Sequence, residues 1–564
     1  MKPLTLLVLA GLVHIFSLNC DPQKSALTDT PDNTSCNLRD DHDPQLLRQL
    51  IGQTVLLSSA TLEEECRTQG KSYKEFFELY PPGGILIDHE KIWEKDSLRQ
   101  LVVAYRQAVP YPLLICADLS RGAGSLVKGY TRFPGLTGIA ATQSPKLAYG
   151  AAKVMAWEAK SVGIDWVLNP HVNVIRPFAP GGPNGFTDGL SDDPLFTQWF
   201  LKEMIDGYQH HHILATAKTS VYLPQTDDHI NAKKRSPLFD WQADQDMILN
   251  TLIKSGVSAI MMVPFADENN IITSESPSDA DSGCLTSLAS KRIVSRLKKE
   301  RGFKSVIVRG ALANSMDSTE CKGQIDIEWI KNGTDMLLCP SLDYYDAMEH
   351  ALKNGTIKEG RFNDALERIS CLKKKINLER KYAVLPELSR EQRIFSQTLA
   401  KEILLKSLTL IKNTPQLIPL SSRNVESILL ITNAGHDHGD LISKLEKQIE
   451  KKQPVYSHDE LTLTELFHVA ESVDLILYAL FSGNEMSKDS ASLWINKIFQ
   501  ANPGKSIVIS FDDPFHYHQF QNAAVYINTF NTDPCVAKPL VDALYGKLSF
   551  QGHSPVNLEK KIRK

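Results

Sequence analysis

Short apolar runs alternate with amphipathic segments along the first part of the chain. The runs are hydrophobic throughout rather than at every second position, which is typical of parallel strands covered on both faces. They lie at residues 54–57, 84–87, 113–117, 165–168, 214–217, 259–263, 306–308 and 335–338. Each run is followed by residues with helical spacing. The pattern therefore predicts eight strand-then-helix units, which form a (β/α)8 barrel of the TIM type.

The clearest of the predicted helices begins at Ser144 and Pro145. Serine is a favoured N-cap, and proline is accepted in the first helical turn. Five apolar side chains then share one face before Gly163: Leu147, Ala151, Val154, Met155 and Ala159. Further helices are predicted at residues 98–108, 194–208, 241–255, 285–300 and 362–375.

A charged helix at residues 390–405 precedes a second set of apolar runs. These runs lie at residues 427–432, 475–480, 507–511 and 524–527. Helices are predicted between and after them at residues 440–451, 461–472, 490–500 and 536–545. Strands that alternate with helices in this way predict a smaller three-layer α/β sandwich domain.

The N-terminus resembles an export signal. Residues 4–18 are mostly apolar, follow Lys2 and end just before Cys20. This run is shorter than a typical membrane-spanning helix. Residues 17–20 resemble the signal of a bacterial lipoprotein, in which the cysteine thiol is acylated and becomes the mature N-terminus. We therefore expect a cell-envelope protein anchored to a membrane by lipid on Cys20. The alternatives are simple cleavage, which gives a secreted or periplasmic protein, and an uncleaved anchor.

The chain is expected to divide into five parts. Residues 21–43 are rich in Asp, Ser, Thr, Asn and Pro, a composition that suits a flexible tether. The predicted parts are a signal at 1–20, the tether at 21–43, the barrel at 44–385, a linker helix at 386–410 and the second domain at 411–564.

Composition limits the class of protein. The chain has 564 residues, of which 42% are hydrophobic and 23% charged, so it is globular and larger than one ordinary core. Its formal net charge of -4 disfavours nucleic acid as the main partner. None of the nine cysteines forms a pair with the two-residue spacing of a metal site. Cys116 and Cys339 lie in apolar runs and are expected to act as small hydrophobic residues. Export permits disulfides, but spacing alone does not pair the cysteines.

Polar residues follow several predicted strands, at the end of a barrel where chemistry takes place. They are Asp118, Asn169, His171, Asn173, Lys218 and Arg309. The surrounding segments resemble, in order, the blocks of family 3 glycoside hydrolases in the β-N-acetylglucosaminidase branch. The similar segments are residues 81–87, 115–118, 133–134, 191–194, 215–218, 256–262, 302–308, 332–338 and 550–556. The resemblance implies a retaining glycosidase that acts on carbohydrate and needs neither cofactor nor metal.

The position of the family's nucleophile is changed. Retaining glycosidases use one carboxylate as nucleophile and a second group as acid/base. The resemblance places that carboxylate directly after the seventh strand, where this chain has Gly310 followed by Ala311. Asp317 follows seven residues after Gly310, on a predicted loop or helix past the strand end. The sequence therefore predicts that the covalent step is lost.

Other positions of the family pattern are changed as well. The Lys-His pair that holds sugar hydroxyls is Lys218 and Thr219 here, and Asn173 stands where the family often has Asp. No basic residue replaces the expected Arg at residues 187–189, and residues 261–264 lack the expected His. These changes point to a weakened sugar site.

Two parts of the pattern are kept. Asp118 matches the carboxylate that binds distal hydroxyls of the terminal sugar. Asp227 and His229 resemble the acid/base dyad of the branch, in which the carboxylate orients the imidazole that protonates the leaving oxygen. Simpler interpretations stay open for each residue. Asp118 could cap a helix or pair with Arg121. Lys218 could be an ion-pair partner in the barrel, and His229 could be solvated.

Two further motifs have structural interpretations. The run at residues 210–212 consists of three histidines at a predicted helix end, where positive charge suits the helix dipole, and no acidic or cysteine ligand lies beside it. Residues 332–334 and 354–356 match the glycosylation sequon and are interpreted as turns.

Three hypotheses follow for the function. The first is a catalytically impaired relative of the β-N-acetylglucosaminidases, a pseudoenzyme that binds amino sugars of the cell envelope such as N-acetylglucosamine or peptidoglycan fragments. The second is a working retaining β-N-acetylhexosaminidase with a displaced nucleophile. The third is an envelope scaffold lipoprotein, in which the second domain or a dimer interface is the functional surface and the barrel is only structural.

Overall fold

The computed structural model describes most of the chain from residue 43 onward. The described ranges are residues 43–89, 91–175, 189–222, 237–265, 291–310, 322–378, 384–421, 425–434, 438–449, 455–457, 463–482 and 490–559. Within them the chain forms a closed barrel of eight parallel strands followed by a six-stranded sheet. The predicted fold class is confirmed.

The barrel strands pair in chain order, and β1 closes the barrel against β8. They are β1 Val55–Ser58, β2 Gly84–Leu86, β3 Leu114–Ala117, β4 Trp166–Val167, β5 Leu214–Tyr222, β6 Ala259–Phe265, β7 Val306–Arg309 and β8 Met336–Leu338. Every predicted strand is present and begins within a residue of its predicted start. β5 and β6 extend further than predicted and pair with each other as far as Tyr222 and Phe265.

Helices pack around the outside of the barrel. They are α1 Pro44–Gly52, α2 Ser59–Gln69, α3 Tyr73–Leu79, α4 Lys95–Gln107, α5 Leu136–Ala141, α6 Pro145–Ser161, α7 Pro194–Gln209, α8 Pro237–Lys254, α9 Lys322–Lys331, α10 Tyr344–Lys353 and α11 Glu359–Lys375. A π-helical turn, Arg296–Glu300, precedes β7. Side-chain caps fix several helix starts: the Asp193 carboxylate, for example, accepts hydrogen bonds from the backbone of Leu195 and Phe196 at the start of α7.

The barrel interior is filled with apolar side chains. They include Leu56, Leu114, Cys116, Trp166, Leu214, Met261, Val308 and Met336, all of which are buried. Cys116 and Cys339 are free thiols, as their apolar surroundings predicted. Burial raises the pKa of Cys339 to about 12, so this thiol stays protonated at neutral pH. Cys371 on α11 is disulfide-bonded.

A buried lysine lies at the N-terminal end of the barrel strands. Lys373 on α11 donates hydrogen bonds to the Gln53 side chain at 2.6 Å and to the Pro112 carbonyl at 2.7 Å. Nearby, Arg106 and Asp165 form a buried ion pair at 2.7 Å. Burial lowers the pKa of Lys373 to about 7, although the Asp165 carboxylate acts in the opposite direction.

Lys373 is expected to make the free energy of unfolding depend on pH above neutrality. The folded protein binds fewer protons at Lys373 than the unfolded chain does between about pH 7 and the ordinary lysine pKa of 10.5. Stability therefore rises with pH in this window, by about 2 kcal/mol between pH 7 and 9. Urea unfolding of the wild type and of Lys373→Met measures the gain, which the variant should lack. The surface variant Lys538→Met serves as control, and an equal pH dependence in all three proteins would contradict the assignment.

A six-stranded sheet forms the core of the second domain. Its strand order is β11-β10-β12-β13-β14-β9, with β9 antiparallel to β14. The strands are β9 Thr409–Asn413, β10 Ile428–Thr432, β11 Val455–Ser457, β12 Leu475–Leu480, β13 Ser506–Ser510 and β14 Val525–Asn528. The helices are α12 Arg390–Ser407 before the sheet, then α13 Gly439–Gln448, α14 Leu463–Ser472, α15 Ser490–Ala501 and α16 Ala537–Leu544. The structure contains β9 and β11, which the sequence pattern does not predict.

The second domain contacts the barrel through a polar seam and a small apolar cluster. Arg132 pairs with Asp533 at 3.0 Å, and Arg121 donates a hydrogen bond to Thr532 at 3.0 Å. The apolar cluster comprises Ile175, Phe515, Val556 and Leu558. In the part of the chain that the structure describes, no helix combines the length and apolarity needed to span a membrane.

Candidate functional site

An ion pair lies at the C-terminal mouth of the barrel. Lys218, in β5, places its ammonium 3.1 Å from a carboxylate oxygen of Asp118, which directly follows β3. About a fifth of the Lys218 side chain and more than a quarter of the Asp118 side chain stay exposed, at 20% and 29%. Both groups can therefore reach a ligand in the mouth. Lys218 thus makes an ion pair in the barrel, and its partner is Asp118. Arg121, the alternative partner considered for Asp118, donates a hydrogen bond to Thr532.

Asp118 is held in its ionised form. Burial by itself raises its pKa, but the Lys218 ammonium and the hydrogen bonds from Ser120 outweigh burial, and the pKa lies below its ordinary value. The second carboxylate oxygen accepts hydrogen bonds from the Ser120 hydroxyl and, at 3.0 Å, from the Ser120 backbone. The mouth thus holds a fixed carboxylate beside a fixed ammonium, which suits the binding of hydroxyl groups.

Further polar groups surround this pair. A ring nitrogen of His89 makes a short contact with the carbonyl oxygen of Asp118. Asn169 accepts a hydrogen bond from the Leu119 backbone at 3.0 Å and donates one to the Tyr208 hydroxyl at 2.7 Å. The backbone of His171 pairs with that of Lys218 in an isolated parallel β-bridge, and His171 is buried. The loop after β4 is therefore tied to the ends of β3 and β5.

Gly310 lies directly after β7, at the position predicted for the missing nucleophile. Its amide donates a hydrogen bond to the Met262 carbonyl at 2.7 Å, which continues the pairing of β7 with β6. A Cβ atom here would approach a methyl group of Val263 to 3.0 Å and the Met262 carbonyl to 3.2 Å. A larger residue would therefore require Val263 and the Met262 carbonyl to move by a few tenths of an ångström.

The cation before Gly310 is not available to a ligand. Arg309, the last residue of β7, forms a short ion pair with Asp326 on α9. Both side chains are only 2% exposed. The guanidinium therefore links β7 to α9 inside the fold and is not exposed in the mouth.

A glutamine joins two positions that the family pattern assigns to sugar binding. Gln245 on α8 donates a hydrogen bond to the Asn173 side chain at 3.1 Å and accepts one from the Thr219 hydroxyl. All three side chains are buried. Gln245 was missed in the sequence, although it lies one helical turn before Ile248 and Leu249 on the buried face of a predicted helix. A polar residue on such a face is the signal that could have identified it.

Truncation of this glutamine is expected to weaken the fold. Gln245→Ala removes one hydrogen-bond partner from Thr219 and one from Asn173, so the free energy of unfolding should fall by about 1–3 kcal/mol. Urea denaturation measures the loss. Gln69→Ala, which changes an exposed residue on α2, is the matched control and should stay within about 0.5 kcal/mol of the wild type. A loss as small as that of the control would refute the bridging role.

Several predicted residues lie outside the described ranges. They are Cys20, Asp227, His229 and Asp317, and their predicted roles stay predictions. The histidine run is described: His210 caps the C-terminus of α7, and the ring of His211 packs edge-on against Trp157 at 5.5 Å. Among the described residues, no three His, Cys, Asp or Glu side chains are arranged to hold a metal ion.

Comparison with known sequences gives a family model and several related proteins. The model of the glycosyl hydrolase family 3 N terminal domain matches residues 48–372. The beta-N-acetylglucosaminidase/beta-glucosidase of Cellulomonas fimi is 24% identical over 490 residues, which are 81% of this chain and 85% of the relative. A probable beta-glucosidase of Arthroderma benhamiae is 29% identical over 245 residues, 42% of this chain and 28% of that protein.

Solved structures share the fold. A family 3 beta-N-acetylglucosaminidase from Paenibacillus sp. str. FPU-7 aligns with a TM-score of 0.71 and 18% identity, covering 92% of this chain and 99% of the other. A beta-glucoside phosphorylase aligns with a TM-score of 0.71 and 19% identity, covering 99% and 97%. The two-domain arrangement of barrel and α/β sheet therefore extends over nearly the whole of both solved chains.

Proposed function

Because the chain belongs to glycosyl hydrolase family 3, we propose that it is a glycosidase-derived protein that binds amino sugars of the cell envelope and has lost efficient catalysis. The observation that carries this proposal is the contrast at the barrel mouth. Asp118 and Lys218 are fixed and partly exposed, while the end of β7 offers Gly310 and a buried Arg309. Groups suited to hydroxyls are present, but the described strand end provides no carboxylate at the family's nucleophile position.

The altered sugar-binding positions support the same proposal. Thr219 and Asn173 hydrogen bond to Gln245, so their polar groups face a protein side chain. A sugar bound beside Asp118 would make fewer contacts than in a relative with the full Lys-His pair. We therefore expect weak binding, with N-acetylglucosamine or a peptidoglycan fragment as ligand.

Titration calorimetry with N-acetylglucosamine and with muropeptide fragments tests the binding function. The wild type should bind at least one of these ligands, and Asp118→Asn should weaken binding about tenfold or more because a charged hydrogen-bond acceptor is lost. Asp96→Asn, on the exposed first turn of α4, is the matched control and should bind like the wild type. Absence of saturable binding, or equal binding by both variants, would sink the proposal.

A second candidate is a working retaining β-N-acetylhexosaminidase with a displaced nucleophile. The similarity to the named Cellulomonas fimi enzyme over most of the chain favours it. Two measurements separate it from the first candidate: a hydrolysis rate like that of active relatives, and a covalent glycosyl intermediate on a carboxylate such as Asp317.

We also propose export and lipid attachment at Cys20, on the basis of the N-terminal sequence alone. A lipid-anchored protein at the envelope would meet the proposed ligands directly. Mass spectrometry of the protein from native membrane extracts decides this point, since an unmodified Cys20 in the mature protein would contradict lipid attachment.

A further inference from the structure

We propose that a cleft between the barrel and α12 binds a small carboxylate anion. This side cleft is lined by residues of α4, of the segment after β3, of α6 and of α12, and by residues 387–388. Its charged lining residues are Lys95, Lys128, Glu158, Glu387 and Arg393. None of the mouth residues described above lines it, so the site is separate from the proposed sugar site.

The size of the side cleft sets the size of the ligand. Its volume is about 180 Å³. A protein cavity of about 150 Å³ is sufficient to hold benzene, so the side cleft fits a molecule of roughly six to eight non-hydrogen atoms. The lining includes Thr131, Ser396 and Gln397 beside the charged groups, which favours a polar ligand with hydroxyls.

The charges around the side cleft favour an anion. Three cationic side chains, Lys95, Lys128 and Arg393, line it together with two carboxyls. The hydrogen bond from Lys95 lowers the pKa of Glu387, so this carboxylate stays ionised. Arg393 donates to the Leu388 carbonyl at 2.9 Å, which is a neutral partner. Counted over the lining residues alone, the net charge is +2 when Glu158 is protonated and +1 when it is ionised. Lys128 also forms an ion pair at 2.8 Å with Glu94, which lies outside the lining.

Glu158 gives the side cleft its dependence on pH. Glu158 is 3% exposed, and its carboxyl accepts hydrogen bonds from the Thr131 hydroxyl at 2.6 Å and the Thr131 backbone at 3.0 Å. Burial raises the pKa of Glu158 to about 7, although these hydrogen bonds act in the opposite direction. The ionisable groups that line the same cleft are Lys95 of α4, Lys128 and Tyr130 after β3, Glu387, and Arg393 of α12. Three charged groups outside the lining pair with these residues: Glu94 with Lys128, Asp96 with Lys95 and Arg99 with Glu387.

Protonation of Glu158 assists the anion in two ways. It removes a negative charge from the lining, and it supplies a hydroxyl hydrogen that can be donated to a carboxylate oxygen of the ligand. If the protonated protein is the form that binds, the apparent dissociation constant rises as the protonated fraction falls. With a pKa near 7 this fraction falls roughly tenfold between pH 6 and 8.

Equilibrium dialysis of the full chain with radiolabelled L-lactate tests the site. Lactate should bind saturably, roughly tenfold more tightly at pH 6 than at pH 8. Lactamide, which has the same shape and no charge, should not displace it. Absence of saturable binding, displacement by lactamide, or binding of inorganic phosphate without binding of lactate would each overturn the proposal.

Variants locate the binding. Glu158→Gln mimics the protonated carboxyl and should bind lactate equally at pH 6 and 8. Arg393→Gln should bind at least fivefold more weakly, whereas Arg67→Gln, an exposed arginine on α2, is the matched control and should bind normally. Lys128→Gln provides a second cation variant on a different segment. A pH dependence retained in Glu158→Gln, or normal binding in both cation variants of the cleft, would refute the assignment.

Discussion

The wild-type protein is expected to hydrolyse an activated N-acetylglucosaminide about 10⁶-fold more slowly than an active retaining member of its family. Removing the nucleophile from another covalent hydrolase has an effect of this order, roughly 8 kcal/mol in the barrier. Initial rates with a chromogenic substrate measure the difference, with the Cellulomonas fimi relative as positive control. A slow fluorinated substrate followed by digestion should label no carboxylate. A label on Asp317, or on any other acid, would establish the displaced-nucleophile alternative instead.

Gly310→Asp alone is expected to leave this rate low. Its Cβ would meet Val263 at 3.0 Å, so the carboxylate can be introduced only with a local shift. Catalysis also needs the sugar in the correct orientation, and a displacement of about 1 Å can cost on the order of 10²-fold. The variant Gly310→Asp with Thr219→His should gain more, especially when Gln245→Ala makes room for the imidazole. Family-like turnover by the single variant, or by the wild type with added azide, would show that the sugar pocket is intact.

Breaking the buried pair beside Gly310 is expected to destabilise the barrel strongly. Asp326→Ala leaves the Arg309 guanidinium buried without its carboxylate, and such a loss typically costs about 3–5 kcal/mol. Denaturant unfolding monitored by circular dichroism measures the change.

The double variant separates loss of charge balance from loss of packing. Arg309→Met with Asp326→Leu removes both charges and keeps apolar volume, so it should recover most of the stability lost by the single variant. Asp346→Ala, which removes an exposed partner of Arg48, is the surface control and should cost less than about 1 kcal/mol. If the double variant is as unstable as Asp326→Ala, the loss comes from packing rather than from the unpaired charge.

The barrel could be predicted because its strands are buried on both faces. Continuous apolar runs such as residues 113–117 and 259–263 mark such strands directly, and their starts agree with the structure within a residue. β9 was missed because it is an edge strand, buried at its first residue and partly exposed along the rest. β11 has only three residues, too few for a periodic pattern.

The site could be predicted only in part. Asp118, Lys218 and Gly310 follow predicted strands, so their common location at the barrel mouth follows from the fold. The hydrogen-bond partners of each side chain do not follow from the fold. Gln245, for example, reaches Asn173 and Thr219 from a helix distant in sequence. Such contacts depend on how a helix is rotated against the barrel, which hydrophobic periodicity determines only to within a face.

The antiparallel edge strand also affects how the chain is made. β9 leaves the ribosome before every other strand of its sheet, yet it pairs with β14, which is synthesised after all of them. Until β14 appears, the backbone groups of β9 that will join the sheet have no neighbour there, and an unpaired edge is a site where chains associate. We therefore expect residues 409–413 to be a point of association between nascent chains until β14 has been synthesised.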